Sequence, residues 1–128
     1  MTVKKVEKIG MITASALGVL AVLLGAFAAH ALQLEAPQAK WFETGNRYHF
    51  YHTLAILAIV FLPLNGLSKC WVIGFWLIGT IGFSGSLYLA ATGIVQWFWL
   101  TPIGGVFLLI GWCLLLINGL YGLYLKSD

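Results

Sequence analysis

The chain has 128 residues, of which 61% are hydrophobic and 9% charged, and its formal net charge is +3. Soluble domains average about 45–50% apolar and about 25% charged residues, so this composition excludes a water-soluble globular domain. The length fits one domain. The basic residues lie beside the apolar segments rather than in one run, and nucleic-acid binding is therefore not indicated.

A long segment in the second half of the chain carries no charge. No Lys, Arg, Asp, Glu or His occurs from Cys70 to Leu125. A soluble fold keeps charges on most of its exposed turns, whereas a charge at the centre of a bilayer costs about 2.5–3.5 kcal/mol. The pattern predicts an integral membrane protein built from transmembrane helices.

Four apolar segments predict four transmembrane helices, because about 20 apolar residues cross the hydrocarbon core. The predicted spans are about 9–32, 48–63, 71–91 and 102–125, in a single domain over 1–128. The first segment also resembles a signal peptide, since Lys4 and Lys5 precede the apolar run. Its run exceeds the usual length of about 7–15 residues, so a retained span is predicted.

Turn residues mark the limits of these segments. The Pro63–Gly66 stretch predicts a reversal of direction, and Ser68 is expected to cap the third helix. Gly93 is expected to end the third helix, and Thr101 and Pro102 to begin the fourth as N-cap and first helical residue. The short connections predict an all-α antiparallel bundle.

Lysine and arginine counts in the flanking segments predict the orientation. One side carries Lys4, Lys5, Lys8, Lys69 and Lys126, and the other carries Lys40 and Arg47. The five-to-two excess places both termini in the cytoplasm. No span is expected to bury an acidic or basic side chain, which weighs against an ion-coupled transporter but leaves a passive pore open.

Small residues recur along one face of three predicted helices, and such stripes allow close helix packing in lipid. They are Ala14, Gly18, Ala21, Gly25 and Ala28 in the first span, Gly79, Gly82, Ser86, Ala90 and Gly93 in the third, and Gly104, Gly111 and Asn118 in the fourth. Packing within one chain is the favoured interpretation, and contact with another copy or a partner subunit is the alternative. Asn118 is interpreted as a helix–helix hydrogen-bonding residue.

Three histidines are the main candidates for chemistry. His30 ends the first span, while His49 and His52 begin the second and are expected to share one helix face. Together with Glu43 they could form a metal site, or hold a haem between facing helices. The alternative is structural, with the histidines bonded to carbonyls or tyrosines and Glu43 paired with Arg47.

The third span adds polar side chains at the same level of the membrane. Ser84, Ser86 and Tyr88, with Thr101 of the fourth span, predict a polar pocket. The alternative is that both serines bond back to carbonyls of their own helix. The two cysteines, Cys70 and Cys113, indicate no disulfide and are expected to be small buried residues.

Several segments together resemble one family. They are Gly25–Leu32, Trp41 with Tyr48, His49 and His52, Phe83–Tyr88, Thr101–Gly105, and Gly111–Trp112. Their order is similar to that of the small bacterial membrane proteins called domain of unknown function 423, which are related to the eukaryotic transmembrane protein 256 family. Ala28 departs from the glycine expected there.

That resemblance implies a four-span protein of the inner (plasma) membrane and no particular activity. It also implies that His30 and the segments Ser84–Tyr88 and Thr101–Gly105 belong to one feature. No catalytic set is identified, and the identity of any cofactor is left open.

Three functions therefore remain as hypotheses. The leading one is a structural or accessory subunit or homo-oligomer in the lipid bilayer. The second is an outer-leaflet binding site for a metal, haem, quinone or lipid, and the third is a passive channel or small-solute exporter. The binding site would use His30, His49, His52, Ser84, Ser86, Tyr88 and Thr101.

Overall fold

The computed structural model describes residues 2–124, which form four helices and no strand. The helices are α1 (Val3–His30), α2 (Ala36–Val60), α3 (Gly66–Ala91) and α4 (Leu100–Tyr124). They run alternately up and down, as predicted. Leu125, at the end of the fourth predicted span, and Lys126, used for the orientation, lie outside the described residues.

Three of these helices are long and apolar enough to cross a membrane, namely Val3–His30, Gly66–Ala91 and the Leu100–Gly122 part of α4. The helix α2 does not reach that level of hydropathy. It begins at Ala36, well before the predicted start near Tyr48, and its first half carries Lys40, Glu43 and Arg47. The predicted second span therefore corresponds only to the second half of a longer and more polar helix.

The caps differ in part from the predicted ones. Asn65, rather than Ser68, caps α3, because its side-chain oxygen accepts a hydrogen bond of 2.8 Å from the Ser68 amide. The helix α4 begins at Leu100, so Thr101 lies in its first turn and is not the N-cap. Gly93 follows the end of α3 with a φ of 73°, the left-handed conformation that ends many helices.

The helices pack mainly in chain order. The helix α2 lies between α1 and α3, α3 lies between α2 and α4, and α1 touches α3 only over a shorter stretch. Within residues 2–124, the backbone of α4 comes close to α3 alone. The buried core lies between α2 and α3, where Ile56, Ile59, Val72 and Trp76 are almost fully enclosed.

Glycines bring α3 and α4 into direct backbone contact. A Cβ atom added to Gly104 would lie 2.7 Å from the carbonyl carbon of Gly82 and closer still to the amide nitrogen of Phe83. One added to Gly111 would lie 2.5 Å from the Trp76 ring. The prediction that these stripes pack within one chain is confirmed.

The stripe on α1 packs in the same way, against α2. Ala14 and Ala21 are 2% and 1% exposed, and a Cβ atom on Gly25 would meet the Asn46 side chain. Asn118 accepts a hydrogen bond of 2.7 Å from the Ser68 hydroxyl. This bond joins α4 to α3 and confirms the helix–helix role predicted for Asn118.

A buried ion pair corrects the expectation that no span buries a charge. Lys69 lies in α3 and is 1% exposed. Its Nζ donates hydrogen bonds to Glu7 Oε1 at 2.6 Å and to the Val60 carbonyl at 2.7 Å. Val60 ends α2, and the last carbonyls of a helix lack partners within it. Lys69 lies in the first turn of α3, and its contacts with Glu7 and Val60 join three helices.

The two cysteines also differ from expectation. Cys70 and Cys113 are free thiols on exposed helix surfaces rather than buried small residues. Both surfaces belong to helices of membrane-spanning length. These thiols therefore face the surroundings of the protein and not its core.

Candidate functional site

The two histidines of α2 point into the protein. His49 and His52 are only 2% and 5% exposed. They do not form a pair, because they lie on opposite sides of α3. His49 contacts Tyr88 and faces α1, whereas His52 contacts Trp112 of α4.

His52 uses both of its ring nitrogens. Its Nδ1 lies 2.8 Å from the Tyr48 carbonyl, which can only accept, and its Nε2 lies 3.1 Å from Nε1 of Trp112, which can only donate. The ring is therefore neutral, with its proton on Nδ1. Because the Nε2 lone pair accepts from the indole, His52 ties α2 to α4, and both of its ring nitrogens are occupied.

His49 belongs to a different chain of hydrogen bonds. Asn46 Nδ2 donates to the Ala21 carbonyl at 2.8 Å and to the Tyr88 hydroxyl at 3.3 Å. The Tyr88 hydroxyl lies 3.1 Å from His49 Nδ1. Since the Tyr88 oxygen accepts a hydrogen bond from Asn46, the Tyr88 O–H group can donate to His49 Nδ1. This arrangement leaves the His49 proton on Nε2.

Three buried polar atoms near this series of hydrogen bonds have no hydrogen-bond partner within residues 2–124. They are His49 Nε2, Thr80 Oγ1 and Ser84 Oγ. The Leu17 carbonyl lies beside the His49 ring without completing a hydrogen bond to Nε2. Thr80 and Ser84 are 3% and 1% exposed, so neither hydroxyl reaches the surface.

The three atoms belong to residues that line one cavity, here called the α1–α3 cleft. Its volume is about 220 Å³. The lining consists of Leu17, Leu20 and Leu24 of α1, His49 of α2, and Thr80, Ile81, Ser84, Gly85 and Tyr88 of α3. Apart from its polar floor, the cleft has apolar walls.

The α1–α3 cleft opens toward the lipid. Leu20 and Ile81, on its two rims, are 47% and 63% exposed. The cleft exists because α1 and α3 touch only over a short stretch, while α2 closes the floor. A Cβ atom added to Gly85 would meet nothing within 4 Å, so this glycine keeps one wall open.

The structure does not bring the predicted metal-binding residues together. His30 lies exposed at the end of α1, and Glu43 forms an ion pair of 2.6 Å with Arg47. In the described part of the chain, no three His, Cys, Asp or Glu side chains are grouped so that they could hold a metal ion. The Glu43–Arg47 pair matches the structural alternative given above.

The predicted polar pocket is divided between two faces of α3. Ser84 and Tyr88 line the α1–α3 cleft. Ser86 donates to the Phe83 carbonyl at 2.9 Å, and its hydroxyl lies 2.7 Å from the Thr101 hydroxyl of α4. Ser86 and Thr101 therefore join two helices on the side away from the cleft, so the implied grouping of His30 with both segments is not seen.

Sequence reasoning missed two members of the site, Asn46 and Thr80. The spacing of the polar residues along each helix could have indicated both. Asn46 precedes His49 by three residues, and Thr80, Ser84 and Tyr88 follow each other at intervals of four. Residues three or four apart lie on one helix face. Two polar stripes on facing helices indicate a buried polar contact.

The fold and the cleft define a multi-pass α-helical membrane protein. The sequence profile described as "Protein of unknown function (DUF423)" matches residues 24–105. The chain belongs to this family, and the match confirms the resemblance found in the sequence.

Relatives of similar length support the same assignment. A "UPF0382 membrane protein" of Haemophilus influenzae is 44% identical over 102 residues, covering 74% of this chain and 80% of the relative. The "UPF0382 inner membrane protein YgdD" of Escherichia coli K12 is 40% identical over 115 residues, covering 86% and 88%. The "UPF0382 membrane protein YwdK" of Bacillus subtilis is 38% identical over 117 residues, covering 86% and 94%.

No solved structure gives a significant match to the chain. The names of the relatives and the three apolar helices of membrane-spanning length make this a multi-pass inner-membrane protein. The orientation of its termini remains a prediction from the lysine and arginine counts.

Proposed function

We propose that this protein binds a small lipid-soluble molecule in the α1–α3 cleft. The observation that carries the proposal is the set of three buried, unpartnered polar atoms, on His49, Thr80 and Ser84, in one lipid-facing cavity. A buried polar group without a partner costs about 1–3 kcal/mol. A bound molecule with one polar group would offset that cost.

Among the ligands considered from the sequence, the geometry favours an organic molecule over a metal or haem. A metal site of the common kinds has three or four strong protein ligands. In the α1–α3 cleft, His49 is the one side chain of that type, and the others are hydroxyls and hydrocarbon. Hydroxyls and an imidazole N–H suit hydrogen bonding to a neutral molecule.

Filling the cleft should abolish this binding. We expect Gly85→Leu to place its side chain in the open wall of the cleft and to exclude the ligand. The measurement is mass spectrometry of the small molecules retained by protein purified from its own membrane in mild detergent. Wild type should retain a stoichiometric molecule, and Gly85→Leu should have lost it.

Gly119→Leu is the matched control. Gly119 is also a helical glycine with nothing within 4 Å of an added Cβ atom, but it lies on α4. This variant should retain the same molecule as wild type. Absence of any retained molecule in wild type, or equal retention in Gly85→Leu, would contradict the proposal.

A second candidate function is self-association or a subunit role through α4. The observation that favours it is the exposed outer face of α4, whose backbone meets only α3 within residues 2–124. Leu109, Leu116 and Leu120 on this face are 64%, 63% and 58% exposed, and Cys113 lies among them. A continuous apolar face of this kind is available for packing against another transmembrane helix.

The exposed thiol of Cys113 allows this candidate to be tested. If α4 helices meet, mild oxidation in native membranes should give a disulfide-linked dimer in wild type and in Cys70→Ser. Cys113→Ser should give none. A protein that stays uncrosslinked in both Cys113-containing forms, and elutes as a monomer in mild detergent, would exclude contact at this face.

A further inference from the structure

We infer that the α1–α3 cleft selects an uncharged molecule that presents a carbonyl oxygen on an apolar chain, with His49 Nε2–H as the hydrogen-bond donor. This inference rests on the proposed function and specifies its ligand class. It follows from the direction of the hydrogen bonds, the charge of the surroundings and the depth of the cleft.

A backbone carbonyl at one end of this series of hydrogen bonds determines which group donates and which accepts at each step. The Ala21 carbonyl accepts only, so the Asn46 group at 2.8 Å must be the NH₂ group. Its second N–H donates to the Tyr88 hydroxyl. That hydroxyl then donates a hydrogen bond to His49 Nδ1, because no other acceptor for its O–H is found among residues 2–124.

The opposite tautomer of His49 would be less stable. With the proton on Nδ1, the Tyr88 hydroxyl would receive two donors and its own buried proton would have no acceptor. The imidazole therefore presents an N–H, and not a lone pair, to the α1–α3 cleft. A carbonyl oxygen has two lone pairs, so it can accept from His49 Nε2–H and from the Thr80 or the Ser84 hydroxyl.

The surroundings exclude a charged head group. No Lys, Arg, Asp or Glu lines the α1–α3 cleft, and its walls are leucine and isoleucine. A carboxylate or phosphate placed there would lose its hydration without gaining an opposite charge. An uncharged carbonyl has a smaller desolvation cost, and the apolar walls accommodate a hydrocarbon chain.

The depth of the cleft favours a molecule dissolved in the membrane over the esters of the bulk lipid. Leu17 lies about midway along α1 (Val3–His30), and Leu24 is about 10 Å further along the helix axis. Lipid esters lie at the edge of the hydrocarbon core, about 15 Å from its centre. A free ketone or quinone reaches the level of His49 more readily than an ester does.

The test is a ligand titration monitored by nitrogen NMR of the histidine rings in wild-type protein. The protein is placed in nanodiscs of ether-linked lipid, which has no carbonyl. The probes are methyl nonyl ketone, undecane and undecanoate, three chains that differ in the head group. The ketone should shift the His49 Nε2–H resonance saturably, while the His52 resonances stay in place because both His52 nitrogens are bonded.

Two serine variants supply matched controls for the binding constant. Ser84→Ala removes a hydroxyl from the cleft, whereas Ser86→Ala removes one on the α4 side of the same helix. Ser84→Ala is expected to weaken ketone binding by about 3- to 10-fold, the effect of one hydrogen bond. Ser86→Ala should leave it unchanged. Tyr88→Phe should also weaken it, because His49 is then free to place its proton on Nδ1.

The outcomes separate this inference from the proposed function. Equal binding of undecane and the ketone, or binding of undecanoate, would overturn the carbonyl assignment while leaving a ligand-binding cleft. The assignment would also be overturned if the His49 Nε2–H proton exchanged with water and its resonance shifted with none of the three probes. If nanodiscs of ester-linked lipid shift His49 with no probe added, the carbonyl comes from the bulk lipid. Failure of the Gly85→Leu comparison would remove the proposed function itself.

Discussion

Gly104→Ala should lower the free energy of unfolding by about 3 kcal/mol, near the top of the range for overpacking. The new methyl group would overlap the backbone of α3 at Gly82 and Phe83. Backbone atoms cannot turn aside as a flexible side chain can, so α3 and α4 would have to move apart. That movement would also weaken the nearby contacts of Leu108 with Gly79 and of Gly111 with Trp76.

The measurement is reversible unfolding in mixed micelles, followed by tryptophan fluorescence and circular dichroism. Gly119→Ala is the control in the same helix, because its Cβ atom meets nothing within 4 Å. Alanine favours the helix over glycine by about 1 kcal/mol, so the control should be neutral or slightly stabilised. Equal stability of the two variants would show that α3 and α4 are not in close contact at Gly104.

Removing one partner of the buried Glu7–Lys69 pair should also be costly. Loss of a partner from a buried ion pair typically costs about 3–5 kcal/mol, because the remaining charge stays buried. The two partners are not equally enclosed, since the side chains of Lys69 and Glu7 are 2% and 33% exposed. We therefore expect Glu7→Leu to be more destabilising than Lys69→Met, which leaves a carboxylate that reaches the surface.

A double-mutant cycle in the same unfolding assay tests this explanation. The Glu7→Leu, Lys69→Met double variant should recover part of the stability lost in Glu7→Leu, because no charge is left uncompensated. Lys40→Met is the control, since Lys40 is exposed in the first turns of α2. Additive losses in the double variant would mean that the two side chains do not interact energetically.

Helix number and helix packing could be predicted from the sequence because both depend on local pattern. A membrane-spanning helix needs only length and an apolar composition, and the glycines at Gly104 and Gly111 recur at a helical interval. The limits of α2 were harder to predict from the sequence. Its first half is charged, and only the fold shows that this half continues the same helix.

The contacts of the polar side chains depend on residues far away in the sequence. His52 and Trp112 are 60 positions apart, and Lys69 and Glu7 are 62 apart. The rotation of α2 against α3 decides that His49 and His52 diverge, and no local pattern specifies that rotation. The α1–α3 cleft also required three helices to be placed before its unpartnered atoms could be recognised.

The attachment of α4 has a consequence for biogenesis. The helices that build the cleft all precede α4 in the chain, and α4 docks on the opposite side of α3. The first three helices can therefore assemble in the membrane while the last is still being synthesised. Because α4 contributes no residue to the α1–α3 cleft, a local opening of its interface with α3 would leave the lining of the cleft in place.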